Sequence, residues 1–168
     1  TQRSDGVALT VMAPVLLDLT ESGTTALIGP PEATMALARA ILATAMTRFD
    51  PDDLAVLVPP QRTQHSRQAW SWLRWAPHCR CADEDETHPS ARLNLRVVEG
   101  PAPAIAGHTL ALVRDEADLP SDCRRRIFLP TDGTSSARDM RAEGSIIDFH
   151  PDGMSHTAAA QLVDALAP

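Results

Sequence analysis

Apolar positions fall into two rhythms along the first half of this chain, and the change from one to the other marks out the elements. Residues 24–29 (TTALIG) make a short apolar run of strand length that ends in a glycine. Over residues 31–49 the apolar positions Leu37, Ala38, Ile41, Leu42, Ala45 and Phe49 recur on one helical face. Pro31 suits the first turn, where its missing N–H has no intrahelical partner anyway. The turn cluster DPDD closes that helix. Residues 54–60 (LAVLVPP) follow as a continuous apolar run, which fits a parallel strand covered on both faces, and residues 64–76 (QHSRQAWSWLRWA) as a second helix.

Two extended segments precede this unit, residues 6–12 and 14–20, either consecutive strands or one strand bent at Pro14. Beyond it, ARLNLRVVEG, HTLALVRDE, RRRIFLP and GSIIDFHP supply four more strand candidates. The chain closes on SHTAAAQLVDALAP, where Ser155 can cap a helix with Ala159, Leu162, Val163 and Leu166 on one face. Strands and helices alternate early and strands dominate later, so the pattern predicts an α/β fold. Its sheet is mostly parallel, with a trimmed or partly antiparallel second half. The expected organisation is one domain over 1–168: N-terminal strands (1–20), an α/β core (21–150) and a C-terminal helix leading to a linker (151–168).

Composition narrows the function. The 168 residues carry a formal charge of -7 and contain 43% hydrophobic residues, enough for a real core. An acidic chain lacks the contiguous basic face that nucleic acid requires. The cluster Arg124-Arg125-Arg126 is short and runs into IFLP, so it reads as a solvated strand edge or a partner contact. The longest apolar stretch, VMAPVLLDL, is too short to span a bilayer, and the chain as given is expected to be soluble. Three cysteines, two of them separated by one residue, argue for a reducing compartment. All 15 basic residues are arginine, which removes Schiff-base chemistry and lysine general bases.

The absence of lysine matters most at residues 27–42, LIGPPEATMALARAIL, which have the strand, turn and helix layout of a phosphate-binding loop. Such a loop reads G-x-x-x-x-G-K-[ST]: backbone N–H groups cradle the phosphates, lysine reaches the β and γ phosphates, and the hydroxyl holds magnesium. Here Gly29 fills the first position only. Thr34 stands for the second glycine, Met35 for the lysine and Ala36 for the hydroxyl residue, while Pro30 and Pro31 remove two amide donors and Glu32 adds a carboxylate. A lysine about 4 Å from one phosphate charge contributes roughly 4 kcal/mol at an effective dielectric near 20, about a thousandfold in affinity. Losing it leaves a degenerate pocket with weak anion attraction at the helix start. Asp115 and Glu116, after the strand LALV, occupy the place of a catalytic acid pair but follow Arg114 and have no partner groups to activate.

Two further constellations carry chemistry. Trp70, Trp72 and Trp75 at helical spacing read first as core, but three cannot share one narrow stripe. At least one is expected to be partly exposed, and beside Arg67 and Arg74 it would form a protein-contact hot spot. In PHCRCADEDETH, His78, Cys79, Cys81 and His88 lack the spacing of a zinc site, so this segment reads as an acidic loop with incidental cysteines and no metal is expected. No serine sits in a G-x-S-x-G elbow, and no catalytic residue is expected in the chain.

FDPDDLAVLVPP, AWSWLRWAPH and GMSHTAAAQLVDALAP together resemble the membrane-proximal cytoplasmic domain of EccC, the FtsK/SpoIIIE-type motor of actinobacterial type VII secretion systems. The carriers are Pro51 to Leu54, the W-x-W-L-R-W-x-P-H element at Trp70 to His78, and Met154 to Pro168; the tryptophan element is the specific one. The resemblance implies a P-loop-NTPase-like three-layer sandwich with a decayed nucleotide site. It implies a parent ATPase, homo-oligomeric and membrane-anchored, with this domain on the cytoplasmic side of the inner membrane. There it would join the anchor to a string of ATPase domains and contact other channel proteins, with no cofactor of its own. One alternative is a nucleotide-binding domain that uses ATP and magnesium in a pocket completed by a neighbouring subunit's arginine. Another is an interaction module of an unrelated actinobacterial regulator. The segment between Val98 and His108 departs from the family pattern, being too short and proline-rich for a helix.

Overall fold

The structure, a computed structural model, describes residues 17–18, 23–58, 63–81, 91–100, 107–131 and 136–166. Strand β1 (Gly23–Ile28) is buried from Thr24 to Ile28, as its uninterrupted apolar run requires. Helix α1 (Pro31–Arg48) follows with Pro31 at its first position, burying Leu37, Ala38, Leu42 and Ala45 of the predicted stripe. Strand β2 (Leu54–Val58) is buried throughout. Helix α2 (Gln64–Trp70) begins at a cap in which the Thr63 hydroxyl accepts from the Ser66 N–H, and then tightens into a 3-10 turn over Ser71–Leu73. The predicted helix over 64–76 is therefore shorter and wound in two ways.

Strands β3 (Cys79–Cys81), β4 (Leu93–Glu99), β5 (His108–Val113) and β6 (Cys123–Phe128) follow. Strands β7 (Ala137–Arg141) and β8 (Ile146–Phe149) come next, before helix α3 (His156–Leu166). The eight strands form one sheet in the order β3-β2-β4-β5-β1-β6-β7-β8. Every pairing from β3 to β6 is parallel, and β6-β7 and β7-β8 are antiparallel, so the mixed second half was correctly expected. Strand β7, ARDMR, has no apolar run and escaped the sequence pattern. Of the two N-terminal segments expected over 6–12 and 14–20, only Leu17 and Asp18 are described, and neither is in a strand; the rest lies outside the described residues, as does 101–106.

Right-handed crossovers toward the β3 edge and toward the β8 edge lie on opposite faces of such a sheet. The first kind, β1-α1-β2 and β2-α2-β3, carries helices, and one face bears the main core: Leu42, Trp70, Leu73, Leu95 and Leu110, together with Ala159 and Val163 of α3. The connection from β5 to β6 is of the second kind and has nine residues, 114–122, below the dozen that a helical crossover usually takes. It makes only a 3-10 turn over Glu116–Asp118, and a small cluster of Ala26, Ile28, Ala111 and Val113, with Leu119 against it, occupies that face. Among the described residues all three helices pack on one face. The second helical layer of the expected three-layer sandwich has no counterpart there.

The chain returns from the β8 edge to α1 before the last helix. The Met154 N–H donates to the Ala36 carbonyl at 3.0 Å, and Arg39 Nε donates to the Met154 carbonyl at 2.7 Å. Ser155 caps α3 as expected, its hydroxyl accepting from the Ala158 N–H. Among the described residues no helix is long and apolar enough to cross a membrane.

Candidate functional site

Ile28 lies beside Val113 of β5 and Phe128 of β6, so the Gly29 turn, the 114–118 segment and the exit of β6 all leave the sheet at one edge. The structure thus brings Asp115 and Glu116 to the same edge as the Gly29–Ala36 turn. What it builds there is closed. The Gly29 N–H donates to the Val113 carbonyl at 3.2 Å, and the Leu129 N–H donates to the Ile28 carbonyl at 2.8 Å. Gly29 has φ 147°, a conformation side chains rarely adopt, and a Cβ there would stand 2.9 Å from the Leu129 carbonyl oxygen.

Thr34 bonds back into the first turn. The Thr34 N–H bonds to the Pro30 carbonyl at 3.0 Å, and its hydroxyl donates to the Pro30 and Pro31 carbonyls at 3.2 and 3.1 Å. No side chain caps α1, and the carboxylate of Glu32 in its first turn is exposed. Met35 and Ala36, where a lysine and a magnesium-holding hydroxyl would stand, are half-buried, and the chain at Gly153 and Met154 crosses Ala36. Asp115 and Glu116 are exposed; Glu116 sits 3.9 Å from Arg126, a solvent-screened pair.

A cavity of about 620 Å³ opens at this edge, but Gly29 to Ala36 do not line it. Its walls include Glu116, Phe128, Leu129, Pro130 and the Arg138–Asp148 pair of the β7-β8 hairpin. A second cavity, about 640 Å³, lies at the opposite edge near Thr24, Arg124 and Arg141, where Thr25 Oγ1 and His108 Nε2 are 3.2 Å apart.

The tryptophan element divides. Trp70 is fully buried and its Nε1–H donates to Glu99 Oε1 at 2.6 Å; Trp72 is 4% exposed. Both belong to the core, which narrows the expected contact surface to Trp75, 68% exposed, with Arg67 and Arg74 exposed beside it in sequence. The Arg74 guanidinium carbon lies over the Trp75 ring, 5.1 Å from its centroid. His78 is buried, and since a carbonyl only accepts, its Nε2–H donates to Phe49 at 2.7 Å. Cys79 and Cys81 lie in β3, and His88 lies outside the described residues.

The basic cluster needs correction. It is not a solvated strand edge: β6 is an interior strand, and its middle arginine points inward. Arg125 Nε and Nη2 donate to Asp139 Oδ1 and Oδ2 at 2.8 and 2.6 Å, with Asp139 fully buried. Arg141 Nε approaches the same carboxylate at 3.7 Å. Alternation held the signal, because Arg125 shares a face with Ile127 and Asp139 with Ala137.

Geometry defines the class as an α/β protein with a mixed eight-stranded sheet and a strand-glycine-helix turn. Compared with protein-family models and with curated proteins, the chain matches none.

Proposed function

We propose that this chain is a non-catalytic, ATPase-like domain of a type VII secretion motor, linking a membrane anchor to ATPase domains and contacting other channel components on the cytoplasmic side. The motifs at Pro51 to Leu54, Trp70 to His78 and Met154 to Pro168 support the family. The position of the turn supports an ATPase-like ancestry. From β1 the chain crosses toward the β3 edge, while the β5-to-β6 connection passes β1 toward the β8 edge. The ends of β1, β5 and β6 therefore make the switch-point crevice where open α/β sheets hold ligands.

One observation carries the non-catalytic reading. In the Gly29–Ala36 turn the Gly29 and Thr34 N–H groups and the Thr34 hydroxyl all bond to protein carbonyls, and two other positions are prolines. A polyanion entering there meets Glu32 and no replacement for the lost cation. Isothermal titration with magnesium-ATP is expected to give no heat of binding into the millimolar range. Micromolar affinity that disappears on changing Thr34 or Glu32 would establish a working pocket instead. In the parent protein, deleting these residues is expected to leave ATPase domains folded while the membrane complex fails to assemble; an intact complex would count against the linking role.

A further inference from the structure

We propose that Trp75, with Arg67 and Arg74, is a docking surface for an acidic segment of a partner protein, one that carries carboxylates on either side of an apolar side chain. This deepens the contact role above and rests on it for where the partner belongs; the chemistry of the surface follows from the geometry alone.

The segment from α2 through the 3-10 turn has two sides. Ser66, Trp70, Trp72, Leu73 and Ala76 are buried, whereas Arg67, Gln68, Ser71, Arg74 and Trp75 are exposed. The exposed set recurs every three to four residues, so it forms one outward stripe. That stripe carries an indole and two guanidiniums and no carboxylate. Arg92, Arg126 and Arg138 each stand near a carboxylate, but neither Arg67 nor Arg74 makes an ion pair among the described residues.

The backbone that carries the stripe is tied to the rest of the fold. Trp70 is anchored to Glu99, the Arg74 and Ala76 N–H groups bond to the Ser71 and Leu73 carbonyls, and Ser71 Oγ lies 3.0 Å from His156 Nε2 at the start of α3. The ordering cost of binding then falls on the exposed side chains of the stripe rather than on its backbone. Arg74 lies over the Trp75 ring and is exposed, so its N–H groups can donate to a carboxylate, and the indole's exposed surface suits an apolar side chain beside that carboxylate. A second copy of this chain is the poorer occupant. Repulsion scales with the product of net charges, and two copies at -7 each repel far more than one copy and a short acidic segment.

The test uses fluorescein-labelled short peptides in which glutamates flank a leucine, with two controls: lysine in place of glutamate, and glutamate without leucine. Anisotropy is read at low and moderate salt on chain whose fold is checked by circular dichroism. The Glu-Leu peptide is expected to bind at least about tenfold more tightly than either control and to weaken with salt. It should also shield the exposed tryptophan from acrylamide quenching. Trp75→Ala and the double variant Arg67→Ala/Arg74→Ala should each lower affinity about tenfold. Arg67→Glu/Arg74→Glu should reverse the preference toward the lysine peptide, which keeps the test decisive should Trp75→Ala fold poorly. Equal binding by the lysine peptide, no binding at all, or no effect of these variants overturns the proposal. A concentration-dependent dimer in sedimentation that Trp75→Ala abolishes also overturns it, by giving the surface to a second copy. None of these readouts involves nucleotide, so the proposal can fail while the non-catalytic reading stands, and the reverse.

Discussion

Two arginines, each paired with an aspartate of a neighbouring strand, illustrate how little a charge tells by itself. Arg125 and Asp139 are buried and doubly hydrogen-bonded, whereas Arg138 and Asp148 hold the same chemistry at 3.1 Å with side chains 58% and 62% exposed. Desolvation separates them: removing one member of a buried pair leaves an uncompensated ion, and removing one member of an exposed pair leaves a hydrated one. Asp139→Ala is expected to lower stability by about 3–5 kcal/mol in urea titration, and Asp148→Ala by about 0.5 kcal/mol or less. Comparable losses for the two would refute the distinction. Cys123 makes a second residue-scale case. Burial pushes its thiol up from the ordinary value, outweighing the downward pull of backbone hydrogen bonds and the Arg126 guanidinium. A raised value means less thiolate at neutral pH, so Cys123 should react with an alkylating probe more slowly than free cysteine at pH 7.5 and close the gap only in more alkaline buffer. Mass spectrometry of a timed reaction reads this directly, and rapid labelling at neutral pH would contradict it. At this scale period-2 alternation runs through β6 and β7, and it turns Arg125 inward once β7 is known to be its partner strand.

Local sequence and tertiary demand agree closely in some elements and part in others. Helix α1 runs to Arg48 because Pro31 opens it, the Leu37-Ala38-Ile41-Leu42-Ala45 stripe faces the core, and the DPDD turn ends it. Helix α2 stops short of its predicted length. Trp70, Trp72, Leu73 and Ala76 must all go inward, more than one α-helical stripe accommodates, and Ser71 Oγ donates to the Gln68 carbonyl where the winding changes. Periodicity over 64–76 showed an apolar face but could not show that burying four side chains would tighten the backbone. The Gly29 turn is the element where conformation matters most. Gly29→Ala puts a Cβ against the Leu129 carbonyl in a backbone conformation at φ 147°, and is expected to cost about 1–3 kcal/mol by thermal unfolding. An unchanged Tm would show that β6 yields at Leu129.

Across the whole molecule, distant segments close the fold. The chain passes from the β8 edge back over Ala36, and α3 then buries Ala159 and Val163 in the main core. Truncation before residue 150 removes that cover along with the Met154 and Arg39 bonds. With roughly 1.5–3 kcal/mol for each large apolar side chain uncovered, the shortened chain is expected to lose a cooperative urea transition. A sharp transition at the original midpoint would show that α3 is dispensable. By itself the sequence determined the α/β class, the strand-glycine-helix turn, the bounds of α1 and the cap at Ser155. These depend on neighbours in the chain: the spacing of apolar positions, the geometry of proline and a capping hydroxyl three residues from the N–H that donates to it. Only the tertiary structure decided which tryptophan faces water, which arginine is buried, how β7 joins the sheet and what covers α1. Each of those depends on residues far apart in sequence meeting at one place, where the cost of stranding a charge or the gain from burying an indole depends on what lies opposite.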